Sequence, residues 1–176
     1  MNVGGAVTVM STFAAIWWVV GTAMAGRGSL LMYVVGLATS AVLIALGWHR
    51  AGQTTDAPDA RRHRGRVVGI ASAVEGVAIL VAVNVLANTG RQDLIAPVVA
   101  IIVGLHFLPL ARFLPAPIYY LTGALLVVVG LAGTAVDDPT SRILTVCIGA
   151  ATILWLSCAI VLRRNATRAM MQRAVR

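Results

Sequence analysis

The run LIAPVVAIIVGLHFLPL, from Leu94 to Leu110, decides the fold because it is apolar throughout, apart from the ionisable side chain of His106. Five other apolar runs have a similar length, and a transmembrane helix needs about 20 such residues. They extend over Ala6 to Ala25, Ser29 to Trp48, Val67 to Ala87, Ile118 to Val136 and Ile143 to Leu162. Strand-like alternation is absent, and an open sheet cannot satisfy its backbone hydrogen bonds in lipid. The sequence therefore predicts an all-α integral membrane protein, a bundle of six transmembrane helices within residues 1–162.

The composition supports the same class. Of the 176 residues, 59% are apolar and 11% are charged, and the mean hydropathy is +0.89. Such a chain has too little polar surface to cover a water-soluble globule. The net charge of +8 comes from arginine without any lysine. Because the arginines lie between the apolar runs and in the tail 163–176, the positive-inside rule explains them, and we expect no nucleic-acid partner.

The arginines also predict the orientation of the chain. If the connections alternate between the two sides of the membrane, only Arg27, Arg91 and Arg142 fall on the outer side. Both termini should then be cytoplasmic, in a bacterial inner (plasma) membrane. The connection 49–66 should be a mobile cytoplasmic loop, and the basic tail 163–176 should form a short helix on the anionic cytoplasmic surface.

The connection 49–66 carries four arginines that could bind anionic lipid headgroups. These are Arg61, Arg62, Arg64 and Arg66. A plain topology signal is the simpler interpretation of the same cluster.

The three outer turns resemble one another, since each places an arginine at the start of an even-numbered helix. Three stacked helical hairpins are therefore conceivable. The first run allows a second interpretation, because Ala23-Met24-Ala25 resembles a signal-peptidase site. No basic segment precedes that run, and the run is longer than a usual signal core, so we expect a retained first helix.

Glu75 is the one acidic residue inside an apolar run, and it should lie close to the middle of the membrane. An ionised side chain there costs about 3 kcal/mol, so it needs a partner, a proton or water. His106 is the one base at a comparable depth. A short turn makes the third and fourth helices neighbours, and Pro109 deprives the carbonyl of Leu105 of its helical donor. We therefore expect Glu75 and His106 to face each other.

Other polar residues could complete a pocket around this pair. Ser72 lies one helical turn from Glu75, and Tyr119 and Thr122 approach a similar depth from the fifth helix. Ser11 and Thr12 of the first helix and Tyr120 of the fifth also approach this depth. For each of them, a hydrogen bond within its own helix or a position in the interfacial aromatic belt is the structural alternative.

The remaining small residues favour structural roles. Cys147 and Cys158 are eleven positions apart on one helix, roughly 16 Å along its axis, which excludes a disulfide between them. We expect them to be small buried apolar side chains. Trp17 and Trp18 should pack against neighbouring helices. Glycines within the runs should be helix-packing positions: Gly36, Gly69, Gly76, Gly104, Gly123 and Gly130.

Two functional hypotheses follow from these residues. The first is a small transporter or channel-like protein in which Glu75 and His106 bind a proton, a cation or a polar substrate. The second is a packing or assembly protein whose polar residues only fasten helices together. We find no catalytic, metal or cofactor motif, so an enzyme ranks third. The expected partners are the lipid bilayer, anionic headgroups at the cytoplasmic face and further copies of the chain.

Overall fold

The computed structural model describes residues 3–50, 58–113 and 117–174, without the side chains of 58–61, 63–64, 168–169 and 171–174. These residues form six α-helices and no strand. The helices are α1 (Val3–Met24), α2 (Leu30–His49), α3 (Pro58–Asn88), α4 (Ile95–Phe113), α5 (Ile118–Thr134) and α6 (Pro139–Ala174). A short 3₁₀ helix, Gln92–Leu94, precedes α4.

Five of these helices are long and apolar enough to cross a membrane. The spans are Val3–Met24, Leu30–His49, Gly65–Asn88, Gln92–Phe113 and Pro139–Thr167, whereas α5 is apolar but has only 17 residues. The chain is thus a polytopic helical membrane protein whose outer apolar surface contacts lipid.

The centre of the bundle is built on α1 and α6, which run antiparallel. Gly21 packs against Cys147, while Ser11 lies 3.4 Å from the Sγ atom of Cys158. α2 packs on the α1 and α6 pair, and α5 joins α6 to α4. Fully buried side chains such as Leu126 and Leu154 fill the space between these helices. Both cysteines are free and buried, as expected.

Two tryptophans connect α1, α2 and α6. Trp17 belongs to the buried core, and the ring of Trp18 packs in a tilted arrangement against that of Trp155, with their centroids 5.2 Å apart. The indole N–H of Trp18 donates to the carbonyl of Met32, and that of Trp155 donates to the hydroxyl of Ser40 at 2.9 Å. The prediction that Trp17 and Trp18 pack against helices is confirmed.

Glycines bring α4 and α5 into close contact. A Cβ atom placed on Gly104 would lie 2.7 Å from the carbonyl oxygen of Gly123, and one on Gly123 would lie 2.6 Å from the carbonyl oxygen of Gly104. Only glycine allows these backbones to approach so closely. Gly36 and Gly130 also pack against neighbouring helices, as predicted.

The prediction that glycines are helix-packing positions is wrong for Gly69 and Gly76, because nothing lies within 4 Å of a Cβ placed on either residue. Both belong to α3, which is attached mainly to α4. No residue in the most apolar window of α3 is buried, whereas 39% of the residues in the corresponding window of α1 and 44% of those in α6 are buried. α3 is therefore a peripheral helix with a largely lipid-facing surface.

The α1–α2 and α3–α4 turns share one backbone geometry. Gly26 and Gly90 follow α1 and α3 with φ values of +64° and +72°. In each turn the next residue, Arg27 or Arg91, donates its N–H to a carbonyl five residues back. This is the glycine-terminated helix end that permits a short reversal of the chain. The third turn differs, since Arg142 lies within α6.

Two helices extend beyond their apolar runs. α3 already begins at Pro58, so the predicted loop 49–66 is wrong over 58–66, while residues 51–57 lie outside the described ranges. α6 continues without a break to Ala174, so the predicted separate tail helix is instead the end of a 36-residue helix. Proline favours the first helical position, and Arg, Ala, Met and Gln are strong helix formers.

Candidate functional site

Glu75 and His106 meet where α3 packs on α4. The Oε2 atom of Glu75 lies 3.6 Å from Nε2 of His106, and the two side chains are 11% and 10% exposed. Glu75 is near the middle of the apolar span Gly65–Asn88. The Gly90 turn and the 3₁₀ helix after it fix the register of the α3–α4 hairpin, which sets these two side chains opposite each other.

Backbone groups add polarity around this pair. The His106 ring also interacts with the backbone of Ala71, one turn before Glu75. Pro109 lies inside α4 and has no N–H, so the carbonyl of Leu105 has no intrahelical donor four residues ahead. The pair therefore combines a titratable acid, a titratable base and an acceptor in a low-dielectric region, where charged groups interact strongly.

Two apolar cavities lie beside the pair, on neighbouring faces of α3. The first, about 580 Å³, is a groove lined only by α3 and α4. The second, about 270 Å³, is a crevice that separates α3 from α1 and reaches α5 and α6. We call them the α3–α4 groove and the inner crevice. Glu75 and His106 line both, so a ligand in either cavity would contact both side chains.

Ser72 and Tyr119 also line the inner crevice. Tyr119 is buried, and its ring packs at 5.7 Å from that of Phe107. The structure thus brings two of the three additional candidates to the same cavity as Glu75 and His106.

Thr122 is not part of that cavity lining. It is fully buried, and its hydroxyl lies 2.7 Å from that of Ser157, which connects α5 to α6. Ser11 similarly faces Cys158 of α6, while Thr12 and Tyr120 are exposed. Their positions correspond to helix packing or the lipid-facing surface.

The proposed lipid-binding arginines lie at the start of α3. Arg62 and Arg66 are exposed, as lipid binding requires, whereas the side chains of Arg61 and Arg64 lie outside the described part of the chain. Headgroup binding by this cluster stays a prediction.

One polar contact was not foreseen from the sequence. Arg142 of α6 is 10% exposed and forms an ion pair with Asp93 of the 3₁₀ helix. Its Nε–H also donates to the carbonyl of Val136 at 2.9 Å. This contact connects the ends of the last two hairpins. The sequence did contain a signal for this ion pair, because the acid and the arginine lie in two short turns that were predicted on the same side of the membrane.

The described residues contain no group of three His, Cys, Asp or Glu side chains placed to hold a metal ion. Comparisons with protein-family models, curated proteins and solved structures give no match to this chain. The functional argument consequently depends on the geometry of the site.

Proposed function

We propose that this protein is a small transporter that binds a proton or a cation at Glu75 and His106. The observation that supports the proposal most directly is the 3.6 Å pair near mid-span, which lines two apolar cavities. Ionisable residues are expensive inside a membrane and usually mark an ion or substrate pathway. We assign no covalent chemistry to the chain.

The proposal includes six spans, with α5 as the sixth. At 1.5 Å per residue its 17 residues extend about 25 Å, close to the ~30 Å hydrocarbon core. Asn165 of α6 donates to the carbonyl of Arg50 at the end of α2, so the end of α2 lies beside this part of α6. Most of the arginines belong to this end of the bundle, and the positive-inside rule assigns it to the cytoplasm.

A proton gives the pair two electrically different states. With Glu75 ionised and His106 neutral, the site carries one negative charge. When one proton is added to either group, the site becomes neutral overall. A cation and a proton can therefore compete for the same negative charge, which is the minimum requirement for coupling their movements.

The alternative is a packing protein in which the pair only holds α3 against α4. The peripheral position of α3 favours this alternative, because a helix with one main neighbour has few other contacts that hold it in place. Interhelical hydrogen bonds in membranes average about 0.6 kcal/mol. Under this alternative the pair contributes stability and has no role in flux.

Replacement of Glu75 by Gln separates the two functions, because it keeps the shape and hydrogen bonding but removes the titratable group. The measurement is proton or cation flux into liposomes that hold purified wild type, Glu75→Gln or His106→Gln. Asn84→Leu is the matched control, since Asn84 is an exposed polar residue of α3 whose side chain donates to the carbonyl of Leu80 in its own helix. Thermal stability is recorded for every variant.

Transport predicts that both site variants lose most of the flux while the Asn84 variant retains it. Wild-type flux that persists unchanged in a normally folded Glu75→Gln protein would exclude coupling through this carboxylate. Absence of wild-type flux, together with a Glu75→Gln protein that is as stable as wild type, would favour the packing alternative, because the hydrogen bonding that holds α3 against α4 is kept in this variant.

A further inference from the structure

The α3–α4 groove opens to the surface of the bundle. Its lining includes Ile70, Val74 and Leu105, which are 51% to 65% exposed. Because α3 is peripheral, this exposed surface faces the surrounding lipid. A molecule dissolved in the bilayer could therefore reach Glu75 sideways, without passing through water.

The groove has the size of a site for an organic molecule. Its volume of about 580 Å³ falls within the roughly 300–1,000 Å³ that is usual for small-molecule pockets. A bare inorganic cation would leave most of that volume empty. Calcium, for comparison, takes 6–8 oxygen ligands, and the lining offers one carboxylate.

The chemistry of the lining restricts the ligand further. Among the described residues that line the groove, Glu75 and His106 have the only polar side chains, and the remaining side chains are hydrocarbon or aromatic. None of these described lining residues is an arginine that could pair with an anion. A sugar or another strongly hydrated solute would leave its polar groups unsatisfied, which costs free energy in an apolar site.

We propose that the α3–α4 groove binds amphiphilic organic monocations that enter from the lipid phase, with the cationic centre against Glu75 and the apolar body along α3 and α4. This proposal rests on the proposed function and specifies its substrate class. The ligand positive charge takes the place of the proton as counter-charge to the carboxylate. The exposed groove wall supplies the hydrophobic contact.

The test uses tetraphenylphosphonium and its anionic analogue of similar shape, tetraphenylborate. Equilibrium dialysis against the intact protein in lipid nanodiscs measures binding, with empty nanodiscs subtracted. We expect saturable binding of the cation alone. Because the replacement removes the counter-charge of the ligand from a partly buried site, where charges are weakly screened, Glu75→Gln should weaken cation binding by about tenfold or more.

Two further variants distinguish the groove from the inner crevice. Ala78 lines only the groove, and Gly76 lines only the crevice. Ala78→Phe should fill the groove and weaken cation binding, whereas Gly76→Leu should leave binding close to that of wild type. Thermal stability of both variants verifies that they fold.

Equal binding of the cation and the anion, or cation binding that Glu75→Gln leaves unchanged, would overturn the proposal. Loss of binding in Gly76→Leu with normal binding in Ala78→Phe would also overturn it, because the site would then be the inner crevice. A protein with Glu75-dependent proton flux but no cation binding would contradict this substrate class and leave the proposed function standing. Specific cation binding without flux would support the groove site and contradict transport.

Discussion

The close contact of α4 with α5 gives a prediction with a built-in control. Gly104→Ala adds one methyl group where it would lie 2.7 Å from the carbonyl oxygen of Gly123 and 2.9 Å from the backbone nitrogen of Val127. These are backbone atoms, which cannot rotate away as a flexible side chain can. The two helices must therefore move apart for the methyl group to fit.

Overpacking of this kind typically costs about 1–3 kcal/mol. Alanine also gains roughly 1 kcal/mol over glycine in helix propensity, which partly hides the loss. Gly69→Ala in α3 has the same propensity gain, but nothing lies within 4 Å of its new methyl group. The difference between the two variants isolates the packing cost, and we expect Gly104→Ala to be less stable by about 1–3 kcal/mol.

Reversible unfolding of both variants in mixed micelles, followed by circular dichroism, measures this difference. The wild type gives the reference for both variants. If Gly104→Ala proves as stable as Gly69→Ala, the α4–α5 backbone contact is wrong, and the arrangement of the bundle around it must be revised.

Two other predictions concern the turns. Arg142→Ala should lower the free energy of unfolding by about 1.5–3 kcal/mol, because it removes hydrogen bonds that involve a charged group. The double change Arg142→Ala with Asp93→Ala should cost less than the sum of the two single changes. A fully additive result, or an equal cost for the exposed Arg91→Ala, would disprove the ion pair. Hydrogen bonds from the side chain and backbone N–H of Ser141 lower the pKa of Asp138, so its stabilising effect is present above the ordinary carboxyl range and disappears as the pH falls through the lowered pKa. Asp138→Asn keeps a helix cap but does not titrate, so thermal melts from pH 7 to pH 2 should show less acid sensitivity than wild type, and an identical pH profile would contradict the assignment.

The sequence predicted the helices and the opposed pair for physical reasons. Membrane thickness sets the length of an apolar run, so hydropathy located the spans. The depth of Glu75 and His106 followed from counting residues, and the short turn at Gly90 made their helices neighbours. The distance between their side chains then depended only on local hairpin geometry.

Other features could not be obtained in this way. Core-facing and lipid-facing surfaces are both apolar, so hydropathy could not show that Gly104 is buried and Gly69 is exposed. The contact between Thr122 and Ser157 depends on the rotation of two helices about their axes. Hydropathy also marks apolar length and not helix length, so it did not reveal that α3 and α6 continue into charged sequence.

The sparse attachment of α3 has a consequence for hydrogen–deuterium exchange. A protein opens in cooperative units whose free energies depend on how well each unit is packed. α3, which contributes Glu75, lacks buried residues in its apolar window, whereas α1 and α6 contribute many side chains to the buried core. α3 should thus detach at a lower free energy than global unfolding, and amides beside Glu75 should exchange before those beside Leu154. A ligand that bridges α3 and α4 would slow this exchange selectively, so protection of a single helix would report occupancy of the site.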